Sequence, residues 1–363
     1  MKTLHYLYPM IRAGFLLFSF ILSFAGCKES KESGRATSPR VKKLTRFDTP
    51  VNNQPFVRGS SIELSFSSGK VSIDSIQITV NGESTRYKRS SFSISLPSRK
   101  VGLWRIIAKV YSESRPETHY KKIIVLPENP PQEMTYSVIK TYPHNPNDFT
   151  QGLLINNGYL YESTGQNGKS TFKKKYLKSG KTLEVVNLNQ EYFGEGLAFV
   201  NNQFYQLTWT SGVCFVYDLN MKQIKTHRYT GQGYGLTSLG SELVLTDESE
   251  KIFFIDPESF TIQRAIEVYD NSGKADSLNE LEVINGLIYA NVWLKDIVMV
   301  IDPGTGEVIQ KIDFSGLLSE EEAREADVLN GIAVDPETNK IYVTGKYWPK
   351  LFEVNIEPKT IQQ

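Results

Sequence analysis

The chain has 363 residues, with 41 basic against 40 acidic side chains, 12% aromatics and two cysteines. That length holds two or three domains with a sizeable core. The charge balance excludes the basic footprint of a nucleic-acid binder, and Cys27 and Cys214 neither staple a fold nor sit in a zinc-ligand spacing.

Lys2 and Arg12 precede an apolar stretch from Ala13 to Gly26, too short and wrongly flanked for a spanning helix. Residues 1–26 therefore read as a signal peptide. The stretch ends in Phe24-Ala25-Gly26-Cys27, which resembles the bacterial lipoprotein cleavage box, with Phe24 where an aliphatic residue is usual. The resemblance implies lipidation at Cys27, a membrane anchor, and a place in the cell envelope on the periplasmic or outer-membrane face. Residues 27–44 have nothing to bury and read as a polar tether.

From residue 45 to 126 apolar residues alternate: Ile62, Leu64 and Phe66, then Ile76, Ile78 and Val80, then Phe92, Ile94 and Leu96, then Trp104, Ile106, Ala108 and Val110, with a last strand over Ile123 to Leu126. Asn81-Gly82 is a strong hairpin signal. The rhythm predicts a small immunoglobulin-like β-sandwich. It holds no ionisable cluster and reads as a spacer or docking module. Residues 127–134, with Pro127, Pro130 and Pro131, read as a stiff linker.

Residues 135–363 carry five copies of one pattern, opening at Gly152, Gly196, Gly235, Leu281 and Gly331, about 40–50 residues apart. Short strands and turns at this period predict propeller blades. Four repeats continue through a turn such as Asp302-Pro-Gly-Thr-Gly306 into an outer strand, whereas the fifth, with its turn placed at Ile356-Glu-Pro358, ends at Gln363. Tyr136 to Tyr142 stands before the first repeat without a blade of its own, so it is expected to complete the fifth and close the ring. The fold class predicted is all-β, a five-bladed propeller preceded by the sandwich.

In each repeat the residues before the first strand and those after the second should meet at one end of the hairpin. Segments such as Phe149-Thr-Gln151, Phe193-Gly-Glu195, Gly233-Tyr234 and Leu278-Asn279 then share a channel mouth with Thr208-Trp209, Val292-Trp293 and Gly345-Lys346. Taken singly, each aromatic reads as packing.

In order, Phe149-Thr-Gln-Gly152, Tyr192-Phe-Gly-Glu-Gly196, Gln206-Leu-Thr-Trp209, Leu278-Asn-Glu-Leu-Glu282, Tyr289-Ala-Asn-Val-Trp293, Leu329-Asn-Gly331 and Val343-Thr-Gly-Lys346 resemble the plant-type glutaminyl-peptide cyclotransferases, five-bladed propellers with bacterial relatives. The resemblance spans about Tyr136 to Val354 and none of the sandwich. It implies closure of an N-terminal glutamine to pyroglutamate with loss of ammonia, on a peptide or protein substrate. It also implies that Glu195 takes the amine proton, that Lys346 polarises the amide oxygen or protonates the leaving ammonia, and that Asn279 and Gln151 orient the amide. Phe149, Phe193, Trp209, Tyr234 and Trp293 would form the aromatic box. Tyr234 departs from the tryptophan usual there.

No cofactor is expected and no metal, since His5, His119, His144 and His227 have no ligand spacing. Asp247, Glu248, Glu280 and Glu282 could hold a structural cation in the channel, but a solvated acidic rim is the expectation. A monomer is expected. Two other classes stay open: a non-catalytic peptide-binding propeller of the envelope, and a calcium-dependent lactonase-like propeller, which would place acids and amides around one metal.

Overall fold

The computed structural model describes residues 42–96 and 100–359. The expected signal peptide, most of the tether, and Cys27 lie outside the described residues. Among those described, every regular element is a strand apart from one 3₁₀ turn, Glu322–Arg324.

The N-terminal region is two facing sheets. One runs in the order Thr45–Thr49, Ser61–Ser68, Ser91–Ser95; the other in the order Gln54–Val57, Glu117–Leu126, Gly102–Ser112, Ile73–Val80, Glu83–Tyr87. Alternation sends Ile62, Leu64, Ile76, Ile106, Ala108 and Ile123 from both sheets into one core. Val80 faces Glu83 across Asn81 and Gly82, both at positive φ, as a two-residue hairpin of the primed type requires. The sandwich is bonded directly to the C-terminal part of the chain. Arg58 pairs with Glu307 at 2.6 Å, Val101 N–H donates to the Thr305 carbonyl at 3.0 Å, and Leu103 N–H donates to Glu267 at 2.6 Å.

That C-terminal part is built of five four-stranded antiparallel sheets resembling propeller blades. The first comprises Thr150–Asn156, Tyr159–Thr164, Thr171–Tyr176 and Thr182–Asn187; the second to fourth begin with Gly194–Val200, Leu236–Leu239 and Leu278–Ile284. The fifth has Leu329–Val334, Ile341–Gly345 and Lys350–Pro358, completed by Gln132–Pro143. That last strand pairs antiparallel from Lys350 opposite Pro143 to Pro358 opposite Met134, so the segment ahead of the first repeat does finish the fifth sheet. Two details differ from expectation. The strand begins at Gln132, inside the segment read as linker, because Gln132 to Met134 also pair in parallel with Gln310 to Ile312 of the fourth sheet. Ile356 and Pro358 lie within a strand and not in a turn, because that long partner extends the ladder past them.

The innermost strands touch in sequence from first to fifth, and the fifth touches the first. The recurring glycine is explained by this closeness. A Cβ on Gly152 would meet the Leu197 backbone nitrogen, one on Gly196 the Leu236 nitrogen, and one on Gly235 the Asn279 carbonyl. Only hydrogen fits between neighbouring inner strands. Gly235→Ala is therefore expected to cost about 1–3 kcal/mol of stability through overpacking; an unchanged midpoint in urea unfolding would contradict this close approach.

Candidate active site

Antiparallel pairing sets the mouth. Thr150 lies opposite Thr164, Gly194 opposite Thr208, Leu278 opposite Val292 and Leu329 opposite Gly345, so both ends of each inner hairpin open the same way. Immediately after each of those four starting residues the register slips by one residue. Such a bulge re-aims a side chain that plain alternation would direct elsewhere. The first residue inside each slip is Gln151, Glu195, Asn279 or Asn330. Three of these are expected site residues. Asn330 was not among them, although its place after Leu329 matches that of Asn279 after Leu278.

Three of these side chains meet. Asn330 Nδ2 donates to Gln151 Oε1 at 3.1 Å and to the Thr150 carbonyl at 2.9 Å; Gln151 Nε2 donates to Glu195 Oε1 at 2.9 Å. Three sheets thereby converge on one carboxylate, which is 2% exposed. Its other oxygen, Oε2, and Asn279 Oδ1 are buried with no hydrogen-bond partner. Buried acceptors rarely go unpartnered. Both ask for an N–H donor.

The wall is aromatic. Phe149 lies edge-on to Phe193 (centroids 6.0 Å) and to Tyr347 (5.2 Å), and Phe193 edge-on to Trp209 (5.7 Å). Trp209 Nε1 donates to the Tyr234 hydroxyl at 3.0 Å, which in turn donates to Glu248 Oε2 at 2.6 Å. The hydroxyl that sets Tyr234 apart is thus engaged on both sides. Trp293 is placed at this end by its N–H bond to Ser277, is 42% exposed, and among the described residues joins none of these ring pairs. Trp348 is buried, with its Nε1 donating to the Asp327 carbonyl at 2.8 Å.

Lys346 is buried, with Nζ 4.6 Å from the centre of the Phe149 ring. Burial pushes its pKa down, against the opposing pull of Glu195 and then Asp327. Burial pushes Glu195 well above the ordinary carboxylate range; Lys346 resists this and Glu248 adds to it. Each group feels the other's charge, and both are driven toward their neutral forms.

The acidic rim needs correction. Glu280 is fully buried, and its oxygens accept from Leu153 N–H at 3.2 Å and Ile332 N–H at 2.9 Å, on the inner strands of the first and fifth sheets. Glu282 accepts from Thr237 and Val334, and burial pushes its pKa up to about 8. Both lie along the inward face of the fourth inner strand, where the period of two places them together, and not in a solvated rim. Of the histidines, His144 does meet acids, Asp148 and Glu162.

Residues 107–356 match the family model described as glutamine cyclotransferase, and the chain belongs to that family. It is 37% identical over 226 residues to the glutaminyl-peptide cyclotransferase of Arabidopsis thaliana, covering 61% of this chain and 71% of that protein. The crystal structure of Myxococcus xanthus glutaminyl cyclase superimposes with a TM-score of 0.58 at 37% identity, covering 63% of this chain and all of that one. The family match begins at Ile107, inside the sandwich strand Gly102–Ser112, and so reaches further upstream than the resemblance that started at Tyr136.

Replacing Asn330 by leucine removes the donor that holds Gln151 Oε1. A loss of about 1–3 kcal/mol in unfolding free energy is expected from the acceptors left unpaired; thermal denaturation matching the parent protein would show that the bond contributes nothing.

Proposed function

We propose that the chain is a glutaminyl-peptide cyclotransferase that closes the N-terminal glutamine of a peptide or protein to pyroglutamate and releases ammonia. The observation carrying this reading is a buried carboxylate, Glu195, with its Oε2 unpartnered and within the field of Lys346, itself buried over the Phe149 ring. Asn279, the second residue of the fourth inner strand, adds a second unpartnered buried acceptor, Oδ1. An N-terminal glutamine offers two N–H groups to match them, its α-amine and its side-chain amide.

The chemistry derives from that match. Folded against the aromatic wall, the glutamine brings its α-nitrogen to its own amide carbon, a proximity effect that lowers the barrier. The new N–C bond forms as Glu195, in its ionised form, takes the α-amine proton. Charge developing on the amide oxygen is stabilised by the Lys346 ammonium. The original C–N bond then breaks, and a proton from Lys346 leaves with the nitrogen as ammonia. The proton held by Glu195 returns to Lys346, a transfer made easy because burial has brought the two proton affinities closer together. No cofactor enters. Asn279 holds the substrate amide, while Gln151 fixes the carboxylate rotamer from the Glu195 Oε1 side. Trp293, exposed at the rim, is read as a contact for the substrate chain and Tyr234 as part of the wall.

The same reading takes the five sheets as a five-bladed propeller over residues 135–363, closed by the strand that begins at Gln132, with residues 45–126 an immunoglobulin-like sandwich, residues 127–131 what remains of the linker, and residues 1–26 and 27–44 a signal peptide and tether. The Phe24-Ala25-Gly26-Cys27 box supports a lipid-anchored protein of the cell envelope.

Glu195→Gln and Lys346→Ala are each expected to lower kcat/KM for a Gln-initiated peptide more than a hundredfold, about 3 kcal/mol of transition-state stabilisation, with ammonia release by the parent enzyme unaffected by chelator. Full activity in either variant would remove that residue from the mechanism. Activity also needs Glu195 ionised and Lys346 protonated. The acid limb of the kcat/KM profile should therefore lie above 4.5, with activity lost as pH falls through the raised Glu195 pKa. The basic limb should lie below 10.5, with activity lost as pH rises through the lowered Lys346 pKa. Limbs at the ordinary glutamate and lysine values would contradict the burial argument.

A further inference from the structure

Behind the mouth lies a buried charged cluster that the reaction does not use. Lys175 comes from a run of three lysines on the third strand of the first sheet and is fully buried. Its ammonium bonds Asp148 Oδ2 at 2.6 Å and Glu162. Glu162 Oε1 accepts the Thr150 hydroxyl at 2.7 Å and lies 3.1 Å from His144 Nε2, while His144 Nδ1 lies 2.7 Å from the Trp348 carbonyl. His144, Asp148 and Glu162 bring ligand atoms within 4.8 Å of one another, a spacing that could take a cation. The Lys175 ammonium already supplies a positive charge to two of the three.

The cluster grips two segments. Besides the Trp348 bond, His144 N–H donates to the Pro349 carbonyl at 2.9 Å, Tyr347 N–H to the Asp148 carbonyl at 2.8 Å, and the Thr150 hydroxyl lies 3.4 Å from the Gly345 carbonyl. Residues 144–150 are thereby laced to residues 345–349 on both sides of Lys346. Tyr347 sits at φ +60, a conformation that tyrosine seldom adopts without enforcement. The lacing supplies it. Thr150 also adjoins Gln151, which holds Glu195.

We propose that Lys175, Glu162, Asp148 and His144 form a positioning device: an ammonium built into the chain ties two carboxylates, which with His144 and Thr150 hold the 345–349 turn so that Lys346 stays over Phe149 and within the field of Glu195. The inference rests on the cyclotransferase reading. Among the described residues none of the four has a hydrogen bond to the side chains of Lys346, Gln151 or Glu195; they act on Lys346 through the 345–349 turn and on Gln151 through Thr150. Their removal should therefore be felt in the chemical step more than in substrate capture.

The test is steady-state ammonia release from a Gln-initiated peptide by the full chain, with melting temperatures recorded alongside. His144→Asn keeps a donor for the Trp348 carbonyl but loses the reach to Glu162. Thr150→Val deletes the hydroxyl, and Thr150→Ser restores it. His144→Asn and Thr150→Val are expected to lower kcat between about ten- and a hundredfold, as small misplacements of catalytic groups do, with KM within about twofold, and Thr150→Ser to recover most of the rate. Phe172→Leu, in the apolar core of the same sheet, should lower the melting temperature and leave kcat alone, separating positioning from mere stability. Unchanged kcat in folded His144→Asn and Thr150→Val, with the parent active and Lys346→Ala inactive, would overturn the inference and leave the cyclotransferase reading standing. A parent protein that releases no ammonia would instead end that reading, and this inference with it.

Discussion

Ring closure between Lys350–Pro358 and Gln132–Pro143 is the constraint on which the rest depends. Gln151 belongs to the first sheet and Lys346 to the fifth, almost two hundred residues apart along the chain. The inner strands of those two sheets touch, and Lys346 lies over Phe149, because the last sheet borrows its outer strand from a segment ahead of the first. The borrowed strand also reaches the fourth sheet through Gln132 to Met134, so the seam is bonded on both sides and leaves no open edge there. A ring so closed is stiff, as holding a carboxylate and an ammonium at fixed separation requires.

Within the ring, two local devices convert repeated β-structure into chemistry. Glycines at Gly152, Gly196 and Gly235 let inner strands approach until no Cβ fits. A shared one-residue slip at four strand starts falls on Gln151, Glu195, Asn279 and Asn330, and three of them, Asn330, Gln151 and Glu195, join in one hydrogen-bonded chain. Burial completes the tuning. It raises Glu195 and lowers Lys346, and each is held back by the other's charge. A surface pair of the same residues would be a fixed ion pair with no tendency to exchange a proton. Here burial narrows the gap between them, which suits an acid and a base that must exchange a proton within one turnover.

The five-fold repeat, the borrowed strand and the mouth residues were legible in the sequence because each rests on local pattern: alternation, turn residues and a recurring glycine. Asn330 was legible too, by its match to Asn279, but a lone asparagine reads first as a turn residue. The buried cluster was not legible. Only the sheet reveals that Lys173 and Lys175, two residues apart on one face, both reach Asp148. Glu280 and Glu282 misled for the opposite reason: acids beside a mouth suggest a wet rim, yet the period of two carries them down the inner strand to backbone donors on other sheets. Partnerships across sheets depend on the ring having closed, and no local window contains them.

The most direct test is a crystal structure of the Glu195→Gln protein with a Gln-initiated peptide bound. The account places the substrate's α-nitrogen within hydrogen-bond reach, about 2.6–3.2 Å, of the side-chain atom that replaces Glu195 Oε2, with the amide against Asn279 Oδ1 and its oxygen facing Lys346. A peptide seated elsewhere on the ring, with these two acceptor positions still unpartnered, would contradict it.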